Sequence, residues 1–263
     1  MKNLEKERAW EIIRVFQEEA SATDFVKAVV LVGSLSDDTY TGRPGSDIDL
    51  VTIIRSDCNY WEAKQKVLAM IDKVEEMTNR DIPIARVIYN ENHLKHPYWV
   101  DFEVSEEDAD LVNLPIEVFR MLDSGKIIYG EDIISGMECP TREDVVESMR
   151  LNEKLERLYW QKAPEKMEAY KAMRANPTTR ILAQIVLVTA LSEYFYYTGK
   201  SCSSKFHILQ KCEQEVPDLS YLELLRLCHR YRFAHETITE SEEEKMHSDY
   251  RECFLTRPVT WSV

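Results

Sequence analysis

The chain has 263 residues, 44% of them hydrophobic and 30% charged, with a formal net charge of −14. This composition supports a real core and argues against disorder. Only 7 residues are glycine, well below the usual ~7% share, which excludes turn-rich all-β, collagen-like and glycine-linker classes and favours a helix-rich protein. A chain this acidic is poorly suited to tracking a phosphate backbone, so nucleic acid is not an expected partner; a small anionic ligand carried with Mg²⁺ stays compatible.

Residues 3–20 carry apolar positions at Leu4, Ala9, Ile12, Ile13 and Phe16, a helical spacing. Lys27 to Gly33 is a β-branched apolar run ending in Gly-Ser and reads as a buried strand, and Asp49 to Ile54 as a second. Tyr60 to Thr78 is a helix with Asn59 as N-cap and an apolar stripe of Trp61, Ala63, Val67, Leu68, Ile71, Val74 and Met77. Ile82 to Tyr89 and Tyr98 to Val104 are two more strands, separated by a turn at Lys95-His96-Pro97. Leu114 to Ser124 is a helix capped by Asn113 and followed by Gly125, and a short apolar segment, Lys126 to Tyr129, comes next.

The second half does not alternate. Val145 to Gln161 shows one helical face, interrupted at Pro164. Asn176-Pro177 starts a helix that runs to Thr198, with Gly199 as its stop. Its centre is apolar on nearly all sides, as for a helix buried in a bundle. Lys205 to Glu215, Leu219 to Phe233 and Glu240 to Phe254 are further helices. The boundary falls near Glu138 to Thr141, giving domains over 1–138 and 139–263.

Six cysteines form no C-x-x-C pair, and none has zinc-ligand spacing. Met1 to Trp10 is charged and lacks a signal-like apolar core. The apolar stretch Ile181 to Leu191 is shorter than the roughly 20 residues of a membrane helix. The expectation is a reduced, cytoplasmic protein without a membrane partner.

Chemistry concentrates in Val30 to Thr52. A strand ends in Gly33-Ser34, and after twelve intervening residues Asp47-Ile48-Asp49-Leu50 opens the next strand. Residues two apart share a strand face, so Asp47 and Asp49 lie side by side while Ile48 and Leu50 turn to the core. Two adjacent anions repel, and a divalent cation removes that cost; oxygen-only ligands suit Mg²⁺. Gly33 lets backbone approach phosphate oxygens, and Ser34 offers a hydroxyl and an N–H.

This G-S, x12, D-h-D-h arrangement between two apolar strands resembles the signature of the DNA polymerase β-like nucleotidyltransferase superfamily. The helical second half is similar to that of antibiotic nucleotidyltransferases of the kanamycin and lincosamide types, and of minimal nucleotidyltransferases. The likeness is strongest over 27–54; over 140–263 it is one of architecture. It implies an α+β fold: a mixed sheet flanked by helices, then an all-α bundle that binds substrate or is HEPN-like. It implies ATP as nucleotide donor, Mg²⁺ on Asp47 and Asp49, and nucleotide contacts from Gly33, Ser34, Ser46 and Arg43. For Arg43 a solvated loop charge is the simpler reading.

The superfamily usually has a third carboxylate on a later strand. In Tyr98 to Val104, Asp101 and Glu103 share a face with Trp99, and either serves; Asp101 is preferred, as metal ligand or as general base toward the acceptor hydroxyl. The implied reaction passes a nucleoside monophosphate to a small hydroxylated acceptor such as an aminoglycoside or lincosamide. A protein acceptor, a catalytically silent nucleotide-binding or partner-binding protein, and an RNase using the Arg230-x4-His235 pattern are the alternatives. Lys200 and Lys205 suit either phosphate or substrate contacts or a basic helix end. His93 and His96 have no third ligand at sensible spacing, and Glu240 to Glu244 reads as a solvated helix start.

Overall fold

The computed structural model describes residues 2–40, 42, 46–96, 98, 114–148, 164–234 and 238–255. The chain divides into two compact units, Met1–Leu155 and Glu156–Val263.

The first unit runs α1 (Lys2–Ser21), β1 (Val26–Leu31), a 3-10 turn (Gly33–Leu35), β2 (Leu50–Ile54), α2 (Tyr60–Met77), β3 (Val87–Asn90), a second 3-10 turn (Glu91–Leu94), α3 (Leu114–Ser124) and β4 (Lys126–Gly130). Residues 142–148 form a further helix, α4. The sheet order is β3-β2-β1-β4, with β1 antiparallel to both neighbours and β2 parallel to β3. This is the mixed sheet expected from the sequence.

Helices cover both faces of the sheet, which is why β1 and β2 are apolar at every position but Lys27 and Thr52 rather than alternating. Val29, Leu31, Leu50 and Ile54 pack on one side with Ile12, Phe16, Val67 and Val74 of α1 and α2. Ala28, Val30, Val51 and Ile53 pack on the other with Val118 and Met121 of α3. The short apolar run after α3, which pattern does not assign, is the strand β4 that completes this sheet.

The third expected strand is shortened. Its ladder covers only Val87–Asn90, preceded by an isolated bridge between Ile48 and Ile84. Pro83 has no N–H to give a ladder. Its carbonyl accepts from Ile48 N at 2.9 Å, while Ala85 N donates to Ile48 O at 2.9 Å. The Ile84 N–H turns away from β2 and donates to the buried carboxylate of Glu75 at 2.9 Å. Replacing Glu75 by Ala strands that N–H, so we expect a loss of about 1–3 kcal/mol in denaturant unfolding. Glu75→Gln keeps an acceptor and should lose less.

Asn59 caps α2, accepting from Glu62 N at 3.1 Å. Trp61 and Met77 leave the expected stripe and are exposed at 39% and 57%. The buried face is Ala63, Val67, Met70, Ile71 and Val74, and the Lys64 ammonium lies 5.3 Å from the Trp61 ring centroid. Leu4 is likewise exposed rather than packed. Of the expected strand 98–104, Tyr98 is described and the remainder lies outside the described residues.

The second unit contains α5 (Pro164–Ala175), α6 (Thr179–Thr198), α7 (Ile208–Glu215), α8 (Leu222–Phe233), α9 (Glu240–Tyr250) and a terminal wide turn, Arg251–Leu255. Within the described residues α5 begins at Pro164; of the expected helical face 145–161, residues 145–148 belong to α4 and the remainder lies outside the described residues. The end of α6 falls where the sequence indicates, but its start does not: Pro177 stays outside the helix, which opens at Thr179 behind Thr178 as N-cap. Thr178 accepts from Ile181 N at 3.4 Å, and Gly199 stops the helix at φ 69°. By length and composition α6 is apolar enough to cross a membrane, at a mean hydropathy of 1.2. Here Leu182, Val186, Leu187, Ala190 and Tyr194 pack against Ile208, Leu224, Leu225, Met246 and Tyr250 from the neighbouring helices of this unit.

Candidate active site

The parity of β2 decides what surrounds the acids. Ile48 and Leu50 are buried among α1 and α2 residues. Asp47 and Asp49 therefore share the parity of Val51 and Ile53, which face α3. Asp47 is exposed and Asp49 partly exposed. Tyr40 stands near Asp47; burial first, then the charges of Glu5 and Asp47, push its phenol pKa upward.

Gly33 and Asp49 are interlocked. The Val32 N–H donates to Asp49 O at 3.0 Å. The chain then turns at Gly33 with φ 71°, a left-handed conformation that favours glycine. A Cβ at Gly33 would lie 2.2 Å from Asp49 Oδ2 and 2.9 Å from Arg120 Nη2. No side chain fits without moving the carboxylate. Ser34 follows in the 3-10 turn, partly exposed, and both Ser36 N and Asp37 N donate to Gly33 O at 3.0 Å.

The residues that sequence reasoning missed are on α3. Arg120 donates from Nη2 to Asp49 Oδ1 at 2.9 Å. Its Nη1 donates to both oxygens of Glu117, at 3.0 and 3.1 Å. Burial alone would lower the guanidinium pKa, but the charges of Glu117 and Asp49 outweigh it and the net shift is upward. Arg120 is thus a permanent cation beside the acid pair. The only trace in the sequence is an acid and a base three apart on a helix, a spacing too common to single out.

The structure brings Gly33, Ser34 and Asp49 together, with Ser46 and Asp47 on the same approach to β2. Arg43, Asp101 and Glu103 lie outside the described residues. On β3, the register brackets Asp49 with Ala85, between the pairs Ile48/Ile84 and Val51/Val87, so no acid of β3 stands level with it. Among the described residues, no group of three or more His, Cys, Asp or Glu side chains is arranged to hold a metal.

The other candidates have structural partners. His93 Nδ1 accepts from Asn90 N at 3.0 Å in a capping box. His96 stacks on Tyr98, with 5.7 Å between ring centroids. Lys200 pairs with Glu215 at 2.5 Å, and Lys205 Nζ reaches Gln184 Oε1 at 3.5 Å. Arg230 pairs with Glu242, and His235 lies outside the described residues. Glu240 to Glu244 opens α9 behind a Thr239/Glu242 capping box, as its acidic first turn indicates.

Two acids thus enter an inner strand of a mixed sheet, beside a Gly-Ser turn that follows the adjacent strand. Residues 10–124 match the family model described as Nucleotidyltransferase domain. That match assigns residues 10–124, under half of the chain, to a nucleotidyltransferase domain. Among solved structures, the spectinomycin adenyltransferase AAD(9) from Enterococcus faecialis with ATP and spectinomycin is similar in fold. Its TM-score is 0.55 at 14% identity, covering 93% of this chain and 98% of that one. A toxin–antitoxin structure with AMP-PNP aligns at a TM-score of 0.27 and 12% identity, over 64% of this chain and 97% of that one. A mutant of the toxin–antitoxin MntA-HpeT aligns at 0.28 and 12%, over 61% and 98%. No curated protein matches the sequence.

Proposed function

We propose that the chain transfers AMP from ATP to a hydroxyl of a small molecule, with an aminoglycoside or lincosamide antibiotic as the acceptor class. The observation that carries this reading is the Gly33–Asp49 interlock. It sets a backbone turn able to approach phosphate directly against an acid that shares its strand face with Asp47. The overall fold shared with an adenyltransferase over most of both chains supports it.

The donor set fits Mg²⁺: two carboxylates, oxygen only, with Asp47 exposed and Asp49 partly so. When bound, Mg²⁺ supplies positive charge opposite the triphosphate. Asp47 and Asp49 would hold it, with Asp101 as the further ligand. Ser34, Ser46 and Arg43 contact the phosphates, and Gly33 keeps the backbone close to them. Asp101 or Glu103 accepts the proton of the acceptor hydroxyl. The oxygen then forms a bond to the α-phosphorus in line, the bond to the bridging oxygen breaks, and pyrophosphate leaves with its electron pair. The helical part of the chain, from residue 139, selects the acceptor.

The test is a panel of acceptors with radiolabelled ATP and Mg²⁺, reading pyrophosphate, labelled small molecules and labelled protein separately. We expect label on a small molecule and a loss of at least ~100-fold in Asp47→Asn. Label on protein alone would move the acceptor class to a protein hydroxyl. Absence of pyrophosphate release with every acceptor sinks the reading.

A further inference from the structure

We infer that Arg120, gripped by Glu117, is the positioning residue for Asp49: it occupies one carboxylate oxygen and leaves the other turned to the Gly33 side. This rests on the proposed role of Asp47 and Asp49 as cation ligands. Arg120 Nη2 takes Oδ1 at 2.9 Å, while Oδ2 lies where a Gly33 Cβ would be 2.2 Å away. The two oxygens of one side chain thus have different surroundings, and the rotation that would exchange them breaks the Arg120 bond.

Glu117 makes the arrangement rigid and nearly neutral. Both its oxygens hold Nη1, at 3.0 and 3.1 Å, so the planar fork cannot turn. The side chains of Glu117 and Arg120 are 12% and 19% exposed, and Asp49 is 21% exposed. One cation between two carboxylates leaves the trio with the formal charge of a single acid. Asp49 is therefore oriented without being neutralised, which a lone arginine would not achieve. A transient competitor for the cation position would need freedom to leave, and the bidentate grip from its own helix denies it that.

Mn²⁺, titrated into the full-length protein with ATP present and followed by the EPR signal of free Mn²⁺, tests the inference. We expect Arg120→Gln to weaken Mn²⁺ binding about tenfold, in the range seen when groups that orient metal ligands are removed. Arg120→Lys should fall between, since an ammonium supplies charge without the fork. Glu117→Gln should also weaken binding, because an uncancelled guanidinium then opposes the cation. Thermal melts without Mn²⁺ separate this from a packing role, which would lower the melting temperature and leave Mn²⁺ affinity unchanged. Unchanged or tighter Mn²⁺ binding in Arg120→Gln overturns the inference. Should that variant not fold, wild-type affinity in both Arg120→Lys and Glu117→Gln overturns it equally. If the wild type itself binds no Mn²⁺, the cation reading of Asp47 and Asp49 fails and takes the inference with it.

Discussion

Gly33→Ala is expected to lose about 100-fold in nucleotidyl transfer while costing only about 1–2 kcal/mol of stability. The stability loss comes from the left-handed backbone, since Gly33 sits at φ 71°. The loss of activity is steric in origin: the new Cβ would lie 2.2 Å from Asp49 Oδ2. Either the turn or the carboxylate must shift, and a displacement of about 1 Å in a reacting constellation costs on the order of 100-fold. Gly199→Ala is the control. Gly199 has a similar φ of 69°, but nothing lies within 4 Å of its added Cβ. It should lose similar stability and keep its transfer rate. Assays run well below both melting temperatures compare the two, and equal activity loss in both variants would dismiss the steric account.

Asp144→Ala is expected to destabilise the first unit by about 2–4 kcal/mol. The carboxylate is 1% exposed. It accepts from Tyr98 N at 3.2 Å, Thr141 N at 2.7 Å and Thr141 Oγ1 at 2.8 Å. Truncation leaves two N–H groups without their acceptor, one at the start of α4 and one at Tyr98. Asp144→Asn retains one acceptor oxygen and should lose less. Denaturant midpoints give the ranking, and a surface-like loss under about 0.5 kcal/mol for the alanine variant would refute it. Tyr98 opens the segment with Asp101 and Glu103, so transfer should fall in Asp144→Ala even where the protein stays folded.

What is legible in the sequence is local chemistry. Asn59 and Gly199 act within a turn of their own position, and residue type and spacing announce it. The Gly33-Ser34 and Asp47/Asp49 elements are legible because strand parity and a glycine turn are local too. Arg120 is not, because nothing in Leu114 to Ser124 tells which sheet face the helix covers. Trp61 and Met77 have a spacing that suits a stripe, yet the width of the buried face is set by α1 and the sheet, not by α2, and both residues fall outside it. The length of β3 depends on Pro83 and on a carboxylate from α2, and only the first is visible in its own stretch. β4 is too short for pattern to assign and owes its existence to pairing with β1.

That pairing has a kinetic consequence. Residues 33 and 49 are close in sequence, but Arg120 arrives from far downstream, on the helix directly before β4. Closing so long a loop is slow and entropically opposed. A nascent chain therefore holds both aspartates well before their orienting cation exists, and the edge strand that joins β1 comes last of the four. Nucleotide with metal would stabilise only the finished assembly, in proportion to its concentration over its dissociation constant. Competence for chemistry and completion of the sheet would then be one folding event, and ligand present during refolding should raise the yield of closed sheet rather than its early intermediates.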